Sequence, residues 1–285
     1  MRIIKKILIV FIILVISSLA LLYLNDLANQ NVVVTKYEFN SDKIPSSFYD
    51  TKFMVISDLH DADFSKQITE HIKKEKPDYV VMTGDMVQLP DHSIENTLKI
   101  ANEVIKMDIP IYAVSGNHDR QCGEYYSIVD VLWANDVYLL ENGSVKLEKD
   151  GDEILLVGIK DPRHDIVTEE KLKAICGNIE HELSKADADT FSILLSHRAD
   201  LYPDIKDTGV DLILSGHMHG GIIRLPFIGG IIGENKENSL FPSYTYGEYK
   251  EGEATMIVSG GCDKNPKKRR FFNPPEVLVI TLQGE

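Results

Sequence analysis

The distribution of apolar and polar positions divides this chain into a uniform first segment and a long patterned remainder. From Ile7 to Leu24 every position is apolar or small, with Arg2, Lys5 and Lys6 before the run and Asn25 and Asp26 after it. Eighteen such residues, at ~1.5 Å rise each, can cross a bilayer as one helix. From Lys52 onward a different unit recurs: a short run rich in β-branched residues, a polar cluster, then helical spacing. The run 53–56 leads to Ser57-Asp58-Leu59-His60, the run 79–82 to Thr83-Gly84-Asp85, and the run 111–114 to Ser115-Gly116-Asn117-His118-Asp119. Between them Ile94, Leu98, Ala101 and Ile105 repeat at intervals of three and four, which predicts one buried helical face. Pro77 and Pro110 predict helix stops ahead of the next strands.

The second half repeats the placement less regularly. Residues 192–195 lead to Ser196-His197, and 212–214 to Ser215-Gly216-His217-Met218-His219-Gly220-Gly221. Runs at 154–157, 255–258 and 277–282 predict strands of a second sheet. Strands alternating with helices imply a layered α/β domain, with ligands gathered beyond the carboxyl ends of the strands. The expected fold is α/β: an α/β/β/α sandwich of two mixed sheets flanked by helices, after one N-terminal transmembrane helix. The expected divisions are a basic cytoplasmic segment at 1–6, a signal anchor at 7–24, a linker and lead-in at 25–50 with a β-like patch from Val32 to Thr35, and a folded domain at 51–285.

Charge and cysteines then place the domain. Basic residues ahead of the span favour a cytoplasmic N-terminus and a domain on the extracytoplasmic side of the cell membrane, as a single-pass protein. Ser18-Leu19-Ala20 resembles a cleavage site, but four more apolar residues follow it, which favours retention as an anchor. Setting Arg2, Lys5 and Lys6 aside leaves 27 basic against 44 acidic residues, a balance of −17. Such a surface repels nucleic-acid backbones, so nucleic acid is not an expected partner. Lys264, Lys267, Lys268, Arg269 and Arg270 form one basic cluster, read as a solvated loop. Cys122, Cys176 and Cys262 are too few and scattered for a disulfide framework, and Cys122 and Cys262 read as inert thiols.

The strand ends deliver Asp58 and His60, Asp85, Asn117 and His118, His197, and His217 and His219. This set is dominated by groups that bind first-row divalent metals, and it is too large for one ion. Asp-X-His and His-X-His on extended backbone would send alternate side chains into one cavity. Glycines 84, 116, 216, 220 and 221 permit sharp turns and close backbone approach there.

In these blocks the sequence resembles the calcineurin-like metallophosphoesterase superfamily, whose pattern runs Asp-X-His, Gly-Asp, Gly-Asn-His-Asp/Glu, a lone His, and Gly-His-X-His. All five blocks occur in order from Asp58 to His219. The stretch from Gly216 to Pro226 and the ending Arg270-Phe271-Phe272-Asn273-Pro274-Pro275-Glu276 resemble its bacterial membrane-associated subgroup. That subgroup usually carries Thr and Gln where Met218 and Ile222 stand here, which bears on substrate contacts and not on metal ligands. The resemblance implies two divalent ions, with Mn, Fe and Zn as candidates. Asp58, His60, Asp85 and His219 would hold one, and Asp85, Asn117, His197 and His217 the other.

The implied activity is hydrolysis of a phosphomonoester, phosphodiester or pyrophosphate by a hydroxide shared between the ions. Tethering to the membrane points to a lipid-linked or cell-envelope substrate. His118 is the candidate proton donor to the leaving oxygen, with Asp119 orienting it. Asn117, His118 and Arg224 are candidate substrate contacts, and His164 has a weaker claim. A catalytically inactive, metal-containing surface binding protein is the rival reading, disfavoured because neither the shared carboxylate nor a histidine is lost. An amidohydrolase barrel would place its His-X-His early, whereas here it comes late.

Overall fold

The computed structural model describes every residue except Met1, 89–92, 164–166, 234–239 and 265–268. The first helix, α1 (Arg2–Ala28), is apolar and exposed nearly all round, and long enough to cross a membrane. It runs four residues past the apolar run, and Asn25 is its one buried side chain. There follow β1 (Val33–Asn40), β2 (Lys52–Ile56), α2 (Ser65–Glu75), β3 (Tyr79–Met82), α3 (Glu95–Ile105), β4 (Ile111–Ala113), α4 (Asn117–Gln121), α5 (Tyr125–Trp133) and β5 (Val137–Leu139). The second half contains β6 (Gly143–Lys149), β7 (Asp152–Gly158), α6 (Glu169–Leu183), β8 (Ser192–Arg198), α7 (Tyr202–Ile205) and β9 (Leu212–Gly216). A small hairpin, β10 (Arg224–Leu225) and β11 (Gly229–Gly230), precedes β12 (Gly247–Lys250), β13 (Thr255–Val258) and β14 (Glu276–Gln283).

Two six-stranded mixed sheets result, in the orders β1-β14-β2-β3-β4-β5 and β12-β13-β9-β8-β7-β6. Their two-residue periodicity sorts the side chains into layers. Phe53, Val55 and Val81 meet Ile193, Leu195, Leu212 and Leu214 between the sheets. Met54, Ile56, Val80 and Met82 point the other way, onto Ile68, Ile72, Ile100 and Val104 of α2 and α3. Leu155, Val157, Leu194 and Ile213 pack outward on Ile175 and Ile179 of α6 and Tyr202 and Ile205 of α7. Each buried side chain of this size contributes ~1.5–3 kcal/mol, so the α/β/β/α layering follows from strands apolar on both faces.

Two expectations need correction. The run 277–282 belongs to the first sheet, antiparallel to β2 and parallel to β1. Its apolar alternation could not show this, because a strand buried on both faces reads alike in either sheet. The lead-in is likewise more than a short patch: residues 33–40 form a full edge strand paired with β14 along its length.

Helix stops also have more local causes than expected. α2 ends two residues ahead of Pro77, with Lys76 between them in the left-handed conformation (φ 50°). α3 ends five residues ahead of Pro110, and Asp108 makes the left-handed turn (φ 58°).

Candidate metal centre

β2, β3 and β4 of the first sheet and β8 and β9 of the second all end at one place, so their following loops converge. Asp58, His60 and His219 form one group there, His60, Asp85 and His118 a second, and Asp85, His197 and His217 a third. Within each group, potential ligand atoms lie within 4.8 Å of one another. Asp85 Oδ2 lies 3.6 Å from His60 Nε2 and 3.5 Å from His197 Nε2, which makes it common to both sides. Asp58 Oδ1 lies 3.7 Å from His219 Nε2. Asn117 Oδ1 lies 3.1 Å from His197 Nε2 and joins the same cluster.

Extended backbone is not what brings these side chains together. Asp58 (φ 49°), His60 (45°), Asp85 (54°), His217 (73°) and His219 (46°) are all in the left-handed region. Such residues cost roughly 1–3 kcal/mol each and concentrate where function demands them. Glycine is needed where backbone passes the carboxylates: a Cβ on Gly116 would come within 2.1 Å of Asp85 Oδ1. One on Gly216 would come within 1.8 Å of Ser57 Oγ and 2.4 Å of Asp58 Oδ2.

Supporting contacts fix which ring nitrogen faces the cluster. His197 Nδ1–H donates to Thr83 O at 2.8 Å, leaving Nε2 toward Asp85. His219 Nδ1–H donates to Asp263 Oδ1 at 2.9 Å, leaving Nε2 toward Asp58. A carboxylate or carbonyl behind a ligating imidazole sets its tautomer and raises its basicity. Asp263 in turn accepts from Arg270 Nη1 at 2.6 Å, and Asn273 Nδ2 donates to His219 O at 2.7 Å. Behind His217, Arg198 is buried and donates from Nε to Asp161 at 2.8 Å.

The donors fit metal ions on this structure's own terms. His60 Nε2, His118 Nδ1 and His217 Nδ1 are buried ring nitrogens without a hydrogen-bond partner. Unpaired buried nitrogens are costly unless something else satisfies them. Burial lowers the pKa of His60 and, more strongly, that of His217, so both present neutral lone pairs. Burial opposes ionisation of Asp85, but His197 and the neighbouring His60 and His118 outweigh it and hold the carboxyl well below its usual range. His197 is pushed up to about 10: burial works against the charge, and Asp85 beside it prevails. The carboxylates thus demand positive charge at the centre, and in the metal-free chain protonated His197 supplies part of it.

Asp119 does not contact His118 as expected. Its oxygens accept from the amides of Asp85 (2.8 Å), Gly116 (2.8 Å) and Val87 (2.9 Å). Burial and the Asp85 charge raise its pKa to about 7. Arg224 donates to Gly220 O at 3.1 Å and lies 3.9 Å over the Tyr246 ring, a bracing contact for the turn after His219. Met218 is buried in the outer core of the second sheet, so its side chain is committed to packing. His164, Lys267 and Lys268 lie outside the described residues. The loop reading of the basic cluster fails at Arg270, which is 4% exposed and tied to Asp263.

Comparison with known proteins agrees with this geometry. Residues 51–221 match the family model for calcineurin-like phosphoesterases. The metallophosphoesterase YkuE of Bacillus subtilis is 31% identical over 265 residues, covering 89% of this chain and 86% of that protein. This chain belongs to the calcineurin-like phosphoesterase family. A metallophosphoesterase of Aquifex aeolicus is 28% identical over 273 residues, covering 88% of this chain and 92% of its own length. Among solved structures, a 5'-nucleotidase precursor of Thermus thermophilus shares the fold at a TM-score of 0.50 and 12% identity. The match covers 81% of this chain and 54% of that one, so this chain spans about half its length.

Family membership supports a metal-dependent hydrolase acting on phosphate esters, and the family is dimetal. The family match takes in every candidate ligand from Asp58 to His219 and stops short of Asp263, Arg270 and Asn273. Asp263 sits in no motif, and Arg270 and Asn273 belong to the subgroup-like ending, which carried no indication that it braces His219. The one available signal was Gly260-Gly261-Cys262-Asp263 after a predicted strand, glycines with an acid close behind as at Gly84-Asp85.

Proposed function

We propose that this chain is a membrane-anchored phosphoesterase that cleaves phosphate esters presented at the extracytoplasmic surface, a lipid-linked or cell-envelope compound being the substrate class. The observation that carries this reading is Asp85 standing between two sets of nitrogen and oxygen donors, three of whose histidines each have a buried ring nitrogen without a hydrogen-bond partner. Asp58, His60, Asp85 and His219 would hold one divalent ion, and Asp85, Asn117, His197 and His217 the other. Two such ions supply, when bound, an acidified water as nucleophile and charge stabilisation for the transferring phosphoryl group.

The chain's own residues do the rest. His60 and His118 are the partly exposed members of the cluster, so the phosphate enters on their side. His118 would give a proton to the leaving oxygen, and Asn117 would hold a phosphoryl oxygen. Asp119 acts as a positioning residue: it ties the Asp85 and Gly116 turns together through their amides. Arg224 acts through the turn it braces. The Ile7 to Leu24 run carries the domain to the membrane.

The test is hydrolysis of nitrophenyl phosphate mono- and diesters by the full chain, stripped with chelator and reloaded with Mn, Fe or Zn. Turnover that disappears with the metal and returns with it supports the reading. A folded, metal-loaded chain with no turnover on soluble or vesicle-borne esters would favour the binding-protein alternative.

A further inference from the structure

Outside α1, twelve large apolar side chains are well exposed among the described residues, and half of them share one corner: Leu225, Phe227, Ile228, Leu240, Phe241 and Phe272. Phe227, at the tip of the β10–β11 hairpin, is fully exposed. Leu240 and Phe241 run beside β11, since Ile232 bridges Leu240 and Phe241 N donates to Ile231 O at 2.9 Å. Phe271, next to Phe272, pairs with the hairpin's root: its amide donates to Ile222 O and its carbonyl accepts from Arg224 N. A cluster of this size on a surface marks a contact site.

The structure also shows what lies against that corner. The end of α1 is bonded to the same strip. Asn25 Nδ2 donates to Arg270 O at 2.9 Å, Phe272 N donates to Asn25 Oδ1 at 2.9 Å, and Asn29 Nδ2 donates to Arg270 O at 2.8 Å. Arg269 pairs with Asp26 beside them. Asn25 directly follows the apolar run, so Phe272 lies at the level where that run leaves the hydrocarbon. Phe227 is three residues from Arg224, which places the tip within roughly 15 Å of the latch at ~3.4 Å per residue. The bilayer's polar layer adds roughly 5–8 Å on each side of its core. Charge does not oppose this: the hairpin stretch 222–232 contains one arginine and no acid, and the exposed Arg269 is paired with Asp26.

We propose that this corner, led by Phe227 and Ile228, enters the interfacial layer of the bilayer that α1 crosses. The metal centre is thereby held at the lipid surface, to act on phosphate esters carried by bilayer-resident amphiphiles. The same strip reaches the centre itself, because Arg270 holds Asp263 against His219 and Asn273 holds the His219 carbonyl. This rests on the phosphoesterase reading for the substrate and on the α1 span for the docking.

Two single-tryptophan forms of the full chain test it in phosphatidylcholine vesicles with brominated acyl chains. One keeps Trp133, the chain's single tryptophan, on α5 beside β5, at the opposite edge of the first sheet from β1. The other combines Trp133→Phe with Phe227→Trp. Position 227 is expected to be blue-shifted and quenched by bromine, and Trp133 neither. Water-like, unquenched emission at 227 would overturn the docking.

The double variant Phe227→Ser, Ile228→Ser should lose roughly tenfold on phosphatidic acid in vesicles, as two apolar anchors are removed. It should keep its rate on nitrophenyl phosphate. Equal loss on both substrates, or parental hydrolysis of the soluble ester but of no vesicle-borne one, contradicts the substrate half. A parent inactive on both esters sinks the phosphoesterase reading, while the quenching still decides the docking.

Discussion

The two sides of the candidate centre are held by different means. On the side of the first sheet, Asp58, Asp85 and Asn117 follow their strands within a few residues, and the bracing comes from the ligand-bearing blocks themselves, the His217 amide donating to Asp58 and the His118 amide to Asp85. Ser57 Oγ donates to Asp58 at 2.6 Å, and Asp119 gathers amides from two neighbouring turns. On the side of the second sheet, His219 depends on residues more than forty positions later: Asp263 on its ring, Asn273 on its carbonyl, and Arg270 on Asp263. A ligand braced from within those blocks is fixed once the blocks meet. A ligand braced from the far end of the chain can be loosened by changes outside the five ligand blocks, and that far strip is the one gripped by α1.

Four variants or conditions separate these means. Asp85→Asn touches both sides at once and is expected to reduce phosphatase turnover by roughly 10³-fold or more, since it removes the carboxylate common to both ligand groups; stopped-time assays on nitrophenyl phosphate measure it. His118→Gln should lower kcat by roughly 10²–10⁴-fold, the usual contribution of a placed proton donor, with metal content unchanged. Equal metal loss in both variants would remove His118 from its proposed role. Asp263→Asn probes the remote brace alone. It should weaken binding at one site by roughly 10–100-fold, seen as a raised metal concentration for half-maximal rate with kcat at saturation nearly intact.

The fourth effect is on stability and is the smallest. In the metal-free chain the folded-state pKa of His197 is raised from 6.5 to about 10. Its stabilisation is therefore complete below pH 6.5 and is lost as pH rises through about 10. Asp119, raised from 3.8 to about 7, adds a loss of the same sign between those values. Asp85, lowered from 3.8, contributes in the opposite sense, its stabilisation being lost only on strong acidification. The metal-free chain should thus melt at progressively lower temperature from pH 7 to 10. With metal bound the fall should be smaller, because a cation then answers Asp85. Melting curves with and without chelator compare the two.

What the sequence made legible follows the same division. The strands ending at Asp58, Asp85, Asn117, His197 and His217 could be read because each joins a β-branched run to a metal-binding cluster, and both signals are local. The layering was legible from the order of the runs. The sheet to which 277–282 belongs was not, because strand pairing between β14 and β2 is a long-range choice that alternation does not encode. Arg270 read as one more exposed cation, since nothing near it in sequence reveals that Asp263 and the carbonyls of Gly260 and Gly261 enclose it. Asp119 stands beside His118 in sequence, but its oxygens are taken by backbone amides that only the folded turns bring together.

The central claim is that two cations share Asp85, and metal stoichiometry tests it most directly. Equilibrium dialysis of the full, chelator-stripped chain against manganese or zinc, followed by elemental analysis, should give two ions per chain, with neither retained tightly by Asp85→Asn. A single ion in the parent chain, or two ions undisturbed in Asp85→Asn, would contradict it.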